Sequence, residues 1–124
     1  MTDPIASICA AIAPICTALD ARVTTTPTGP YAVVTAGPAT LTTTLGCRPH
    51  EQMTCDVMVV QNNPTGCRLV AHRILDALNG LWVDGYRLTH QWTGPLLEDR
   101  DDPTEWRWTR TLTLTLTTRR NHDR

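Results

Sequence analysis

Apolar residues recur along this chain in two alternating rhythms, and the switches between them mark out its elements. Ile5, Ile8, Ile12, Ile15 and Leu19 are spaced by three and four, one stripe of a helix. Asp3-Pro4 supplies a cap and a first-turn proline, so the stripe predicts a helix from there to about Arg22. Pro14 lies inside it and removes one backbone bond, which predicts a kink or a break. A turn-rich linker, Thr24–Pro30, follows. Two short strands, Tyr31–Ala36 and Thr40–Leu45, are separated by Gly37-Pro38. In Met53–Val60 the residues Cys55, Val57 and Val59 alternate with Asp56 and Met58, a third strand. Asn63-Pro64 repeats the cap signature. Cys67, Val70, Ala71, Ile74, Ala77, Leu78 and Leu81 then share one helical face up to Gly80, a C-terminal stop. Asp84-Gly85 turns the chain into strand Tyr86–Thr93, with Tyr86, Leu88, His90 and Trp92 on one face. Leu96–Thr104 reads as an acidic loop. In Glu105–Arg119, Trp106, Trp108, Leu112, Leu114 and Leu116 face one way, against Arg107, Thr109, Thr111, Thr113, Thr115 and Thr117. The order αβββαββ predicts an α+β fold, a mainly antiparallel sheet with two helices on one face.

Size sharpens one of these expectations. A chain of 124 residues makes one domain, here 1–124 with a polar tail over 119–124. Such a domain is roughly 35 Å across, whereas a strand of 15 residues extends about 50 Å. The last strand therefore bends at a bulge, for which Arg110 on the apolar side is the candidate, or projects and pairs with something else. Its threonine side carries no Lys to guard an exposed edge, as expected of a chain that assembles with copies of itself.

Composition removes several function classes. Net charge is −1, which argues against tight electrostatic binding to nucleic acid or an anionic membrane. No apolar run nears the roughly 18 residues of a membrane helix, and the N-terminus lacks the basic stretch of a signal peptide. Lys and Phe are absent from the sequence while Thr occurs 22 times. The first two facts read as codon bias; the threonines follow the last strand's alternation.

Chemistry is sparse. Ser7, the single serine, sits in a helical stripe, with no nucleophile elbow, and no phosphate-cradling loop is present. Asp99, Asp101 and Asp102 with His90 could serve a metal-dependent nuclease, but they crowd around Arg100 on a loop and read as a solvated turn. Cys47, His50, Cys55 and Cys67 hold the only spacing reminiscent of zinc, yet Cys55 and Cys67 lie far apart on different elements. Cys9, Cys16, Cys47, Cys55 and Cys67 are read as thiols, neither disulfides nor metal ligands. His72, beside Arg68 and Asp76, reads as part of a solvated face, and His90 as a satisfied core or interface histidine. No catalytic, cofactor-binding or metal residue is assigned. The strongest charge concentration is acidic: Glu98, Asp99, Asp101, Asp102 and Glu105 against Arg100 sum to −4.

An opening amphipathic helix, Pro30-Tyr31-Ala32-Val33-Val34 at the first strand, one capped helix, and Asp99, Asp101, Asp102 and Trp106 before a long strand with Leu112, Leu114 and Leu116 form a connected pattern. It resembles the tail terminator (tail completion) proteins of long-tailed bacteriophages, of the lambda and related siphophage type. The chain departs from that pattern in Pro14, in its cysteines and in its polar tail. The resemblance implies a structural virion protein without cofactors, not an enzyme. It implies a ring of six copies at the head-proximal end of the tail tube, assembled in the host cytoplasm. The ring's partners are other copies, the tail tube protein and the head-completion (stopper) protein. Genomic DNA passes through its lumen without specific binding, and no membrane is involved. Glu98, Asp99, Arg100, Asp101 and Asp102, with Thr109, Thr111, Thr113, Thr115 and Thr117, are the candidate interface or lumen residues. Another head–tail connector, or a small α+β ligand-binding or enzymatic domain, are the alternatives.

Overall fold

A computed structural model describes residues 4–21, 30–37, 40–42, 50–99 and 107–118, with the backbone alone at 40–42, 50, 51 and 99. Helix α1 spans Pro4–Ile12, and here the sequence expectation is corrected. Of the kink or break expected at Pro14 the break is what forms, and the helix does not run on to Arg22. The amides of Ile15 and Cys16 both turn back to the Ile12 carbonyl, at 2.8 and 3.2 Å. The chain then enters strand β1, Thr17–Asp20, which lies parallel to β2, Tyr31–Ala36. Ile8 and Ile12 are buried; Ile15 packs against the core from the turn.

Strand β3 spans Thr40–Thr42 and β4 spans His50–Gln61, longer than the expected Met53–Val60. Helix α2, Pro64–Leu78, forms where its caps predict: the Asn63 side chain accepts from the Gly66 amide, and Gly80 leaves with φ +85°. A Cβ on Gly66 would come within 2.9 Å of the Asn63 side chain, so a larger residue there would need that side chain to shift. Strands β5, Trp82–Val83, and β6, Tyr86–Thr93, are joined by Asp84 (φ 50°) and Gly85 (φ 86°), a hairpin turn with both central residues left-handed. The Ser7 hydroxyl donates to Asp84 Oδ2 at 2.7 Å and ties α1 to this turn. Within the expected acidic loop, Leu97–Asp99 forms strand β7; Thr109, Trp108 and Arg107 are its partners. Strand β8 spans Arg107–Thr118.

The observed order is therefore αββββαββββ, mixed α+β, with β1, β5 and β7 added to the expected elements. The sheet runs β1-β2-β4-β8-β6-β5, with β3 on β4 and β7 on β8, and every pairing except β1–β2 is antiparallel. One face carries Ala32, Val34, Cys55, Val57, Val59, Leu88, Leu112, Leu114 and Leu116, all buried in one cluster with Ile8, Ile12, Cys67, Ala71, Ile74 and Leu78 from the helices. No helix among the described residues is long and apolar enough to cross a membrane.

Candidate interaction surface

The second face of the sheet is built by register. Antiparallel pairing aligns residues across strands, so four rows can be read off: Val33–Met58–Thr111, Thr35–Asp56–Thr113–Trp92, Thr54–Thr115–Thr89, and Gln52–Thr117–Arg87–Trp82. Thr109, Thr111, Thr113, Thr115 and Thr117 form its spine, as alternation predicts. All five are half-buried. The expectation of an exposed edge is corrected, however: β8 has β4 on one side and β6 and β7 on the other. A β-branched residue suits this central position, since its hydroxyl can reach across to a neighbouring strand. Thr113 Oγ1 donates to Asp56 Oδ1 and Thr115 Oγ1 to Gln91 Oε1, each at 2.8 Å.

A bulge decides what else reaches this face. Pairing of β6 with β8 runs Leu88–Leu116 and His90–Leu114, then slips so that Trp92 faces Thr113. Unbroken alternation would have kept Trp92 with Leu88 and His90; instead it stands on the threonine face, 55% exposed. The bulge expected at Arg110 is thus in the neighbouring strand, while β8 keeps continuous register with β4 from Trp108 to Thr117. Gly94 follows from this, because a Cβ there would meet the Trp92 ring at 3.0–3.1 Å and the Thr111 carbonyl at 3.3 Å. His90, still on the core face, shares a 2.7 Å hydrogen bond between its Nε2 and the Thr93 hydroxyl.

Met58, Trp82, Trp92 and Leu97 all stand on this face by register, and they are four of the five large apolar side chains exposed among the described residues. Their concentration on one face of the sheet, within a polar frame, makes that face the candidate contact surface. Sequence reading missed all four: alternation gave Met58 its face but not its exposure, put Trp92 on the opposite face, and held no strand at Trp82 or Leu97. At one end the face closes: Tyr31 and Val60 are buried there, and Arg107 lies over the Tyr31 ring at 5.8 Å and donates to its hydroxyl at 3.2 Å. At the other end Trp82, Arg87, Thr89, Thr117 and Thr118 line an open depression of about 670 Å³.

The acidic candidates divide. Glu98 is exposed on β7 and Asp99 pairs in register with Arg107; Arg100, Asp101, Asp102 and Trp106 lie outside the described residues. The thiols lie elsewhere. Cys9, Cys16, Cys55 and Cys67 are thiols outside any disulfide, and Cys47 lies outside the described residues. Burial, reinforced by the neighbouring Asp56 and Cys9 charges, pushes Cys55 up to about 12. Burial also raises Cys16 and Cys67, the latter partly offset by Arg110. Thiols held protonated by burial are poor nucleophiles and poor metal ligands. His72 Nε2 lies 3.3 Å from Asp76 Oδ2 at the surface of α2, both side chains 70% exposed.

Solved structures of known proteins share this fold. The fold is similar to that of a chain in the virion of the native gene transfer agent particle, at a TM-score of 0.51 and 19% identity. The match covers 92% of this chain and 86% of that one. No protein-family model and no curated protein matches the sequence. What is shared is the fold, nearly end to end.

Proposed function

We propose that this chain is a structural virion protein of a phage-type particle: a tail terminator whose copies form a ring, of six, on the head-proximal end of the tail tube. The fold match to a virion chain across almost the full length of both proteins carries this reading. The order of elements and the acidic approach to a long terminal strand support it from the sequence side. The threonine face supports it physically, since its exposed Met58, Trp82, Trp92 and Leu97 suit contact with a neighbouring copy. The mechanism is occupation rather than catalysis. One side of the ring covers the growing end of the tube and stops polymerisation, the other receives the stopper protein, and DNA passes through the lumen.

In this reading the acidic run from Glu98 to Glu105 lies at an interface or in the lumen. Six copies would bring about −24 charges together, a band that repels DNA phosphates over roughly 8 Å at physiological salt. The decisive experiment is native mass spectrometry and negative-stain imaging of the protein with and without its tail tube protein. Rings of six that cap tubes are expected. A monomer at tens of micromolar that leaves tube length unchanged would overturn the proposal.

A further inference from the structure

On the core side of the sheet, at the edge of α2, two guanidinium groups line one small cavity. Arg68 on α2 and Arg110 on β8 line a cavity of about 140 Å³ with His72 and Thr93, over a floor of Ala71 and Leu112. Ala71 and Leu112 are buried. Arg110 Nε donates to the Gly94 carbonyl at 3.1 Å, which fixes the plane of its guanidinium and leaves its terminal N–H groups unused by that bond. Neither arginine forms an ion pair among the described residues, and the acid on this helix surface, Asp76, is engaged by His72. An apolar floor strengthens the field of both cations by excluding water from one side.

We infer that this cavity is an oxyanion pocket that receives an Asp or Glu carboxylate from an acidic segment of a second copy of this chain. Its size decides the class of ligand. Drug- or nucleotide-sized sites run from roughly 300 Å³ upward, whereas 140 Å³ holds one carboxylate and a few waters. A forked arginine matches a carboxylate in two parallel hydrogen bonds. A nucleic-acid strand fits less well, because a chain of net charge −1 offers its further phosphates no extended basic track. The complement is in the same sequence, in the net −4 run from Glu98 to Glu105. That choice of source rests on the ring reading; the chemistry of the pocket does not.

The test is an NMR titration of the ¹⁵N-labelled full-length protein with a peptide of residues 97–106, with inorganic phosphate, and with a single-stranded DNA oligonucleotide. Saturable shifts at Arg68, His72, Thr93 and Arg110 are expected with the peptide and, more weakly, with phosphate. A peptide with Asn and Gln in place of its acids should produce none. Arg68→Gln, an exposed change, should weaken peptide binding about tenfold or more, and Arg73→Gln, elsewhere on α2, should leave it within about twofold. Absence of saturable shifts, equal affinity in Arg68→Gln, or tighter binding of the oligonucleotide overturns the inference. Rings that form equally well in Arg68→Gln also overturn it and leave the ring reading standing. Peptide binding by a protein that never forms rings overturns the ring reading alone.

Discussion

Single side chains divide between those that hold the sheet together and those that face outward. Leu114 is fully buried opposite Cys55 and His90. Leu114→Ala should cost about 2–4 kcal/mol in chemical denaturation, from lost transfer energy and the cavity left behind. Cys55 makes a prediction in pH. Its thiol is pushed up to about 12 in the fold from 9.0. Below pH 9 both states hold the proton and stability is unaffected. Between about 9 and 12 the unfolded chain loses the proton while the folded one keeps it, so stability falls with rising pH. Cys55→Ala should therefore show a shallower alkaline decline in melting temperature than the parent chain, whatever its stability at pH 7. Identical alkaline slopes would show that the buried thiol does not contribute.

Elements show where sequence patterns suffice and where geometry intervenes. Helix α2 was legible because its cap, proline, stripe and stop all agree locally. Removing its cap by Asn63→Ala should cost about 0.5–2 kcal/mol, read by thermal melting. Strands β2 and β6 appear with the bounds their alternation predicts, and β8 covers all of the expected strand that lies within the described residues. The rest depended on information the alternation does not hold. The stripe of α1 continues through Ile15 and Leu19 because both residues remain apolar, although Pro14 has already ended the helix. β1 and β7 are short and gain their structure from the strand they pair with, so their own residues announce nothing. The bulge in β6 is a property of two strands in register, and it carries the Trp92 side chain across the sheet. Gly94 was its one local trace. Gly94→Ala should push the Trp92 ring, which is visible as a changed tryptophan emission spectrum, with a loss of about 1–3 kcal/mol from crowding.

For the molecule as a whole, the proposed assembly should be separable from stability, since the core lies on one face of the sheet and four of the five exposed large apolar side chains among the described residues lie on the other. Thr113→Arg keeps Asp56 as a partner and should change the melting of the isolated protein by no more than about 0.5 kcal/mol. It places a long charge beside Trp92, so ring formation and control of tail length should fail. Unchanged rings with unchanged melting would remove the threonine face from the assembly. Replacing Asp99, Asp101 and Asp102 together by Asn should likewise spare folding and alter assembly or DNA passage; normal infectious particles from that variant would exclude the acidic run. The place of β8 has a further consequence, for the order in which the protein is made. The strand at the centre of the sheet comes after every other described element in the chain, and its partner residues in β4 are about 60 positions earlier. Until it arrives, β4 and β6 each present an open row of amides and carbonyls, the condition in which strands pair with the wrong neighbour. Nascent chains should therefore depend on chaperones late in synthesis, and polypeptides stopped before Arg107 should accumulate as aggregates rather than as a smaller folded unit.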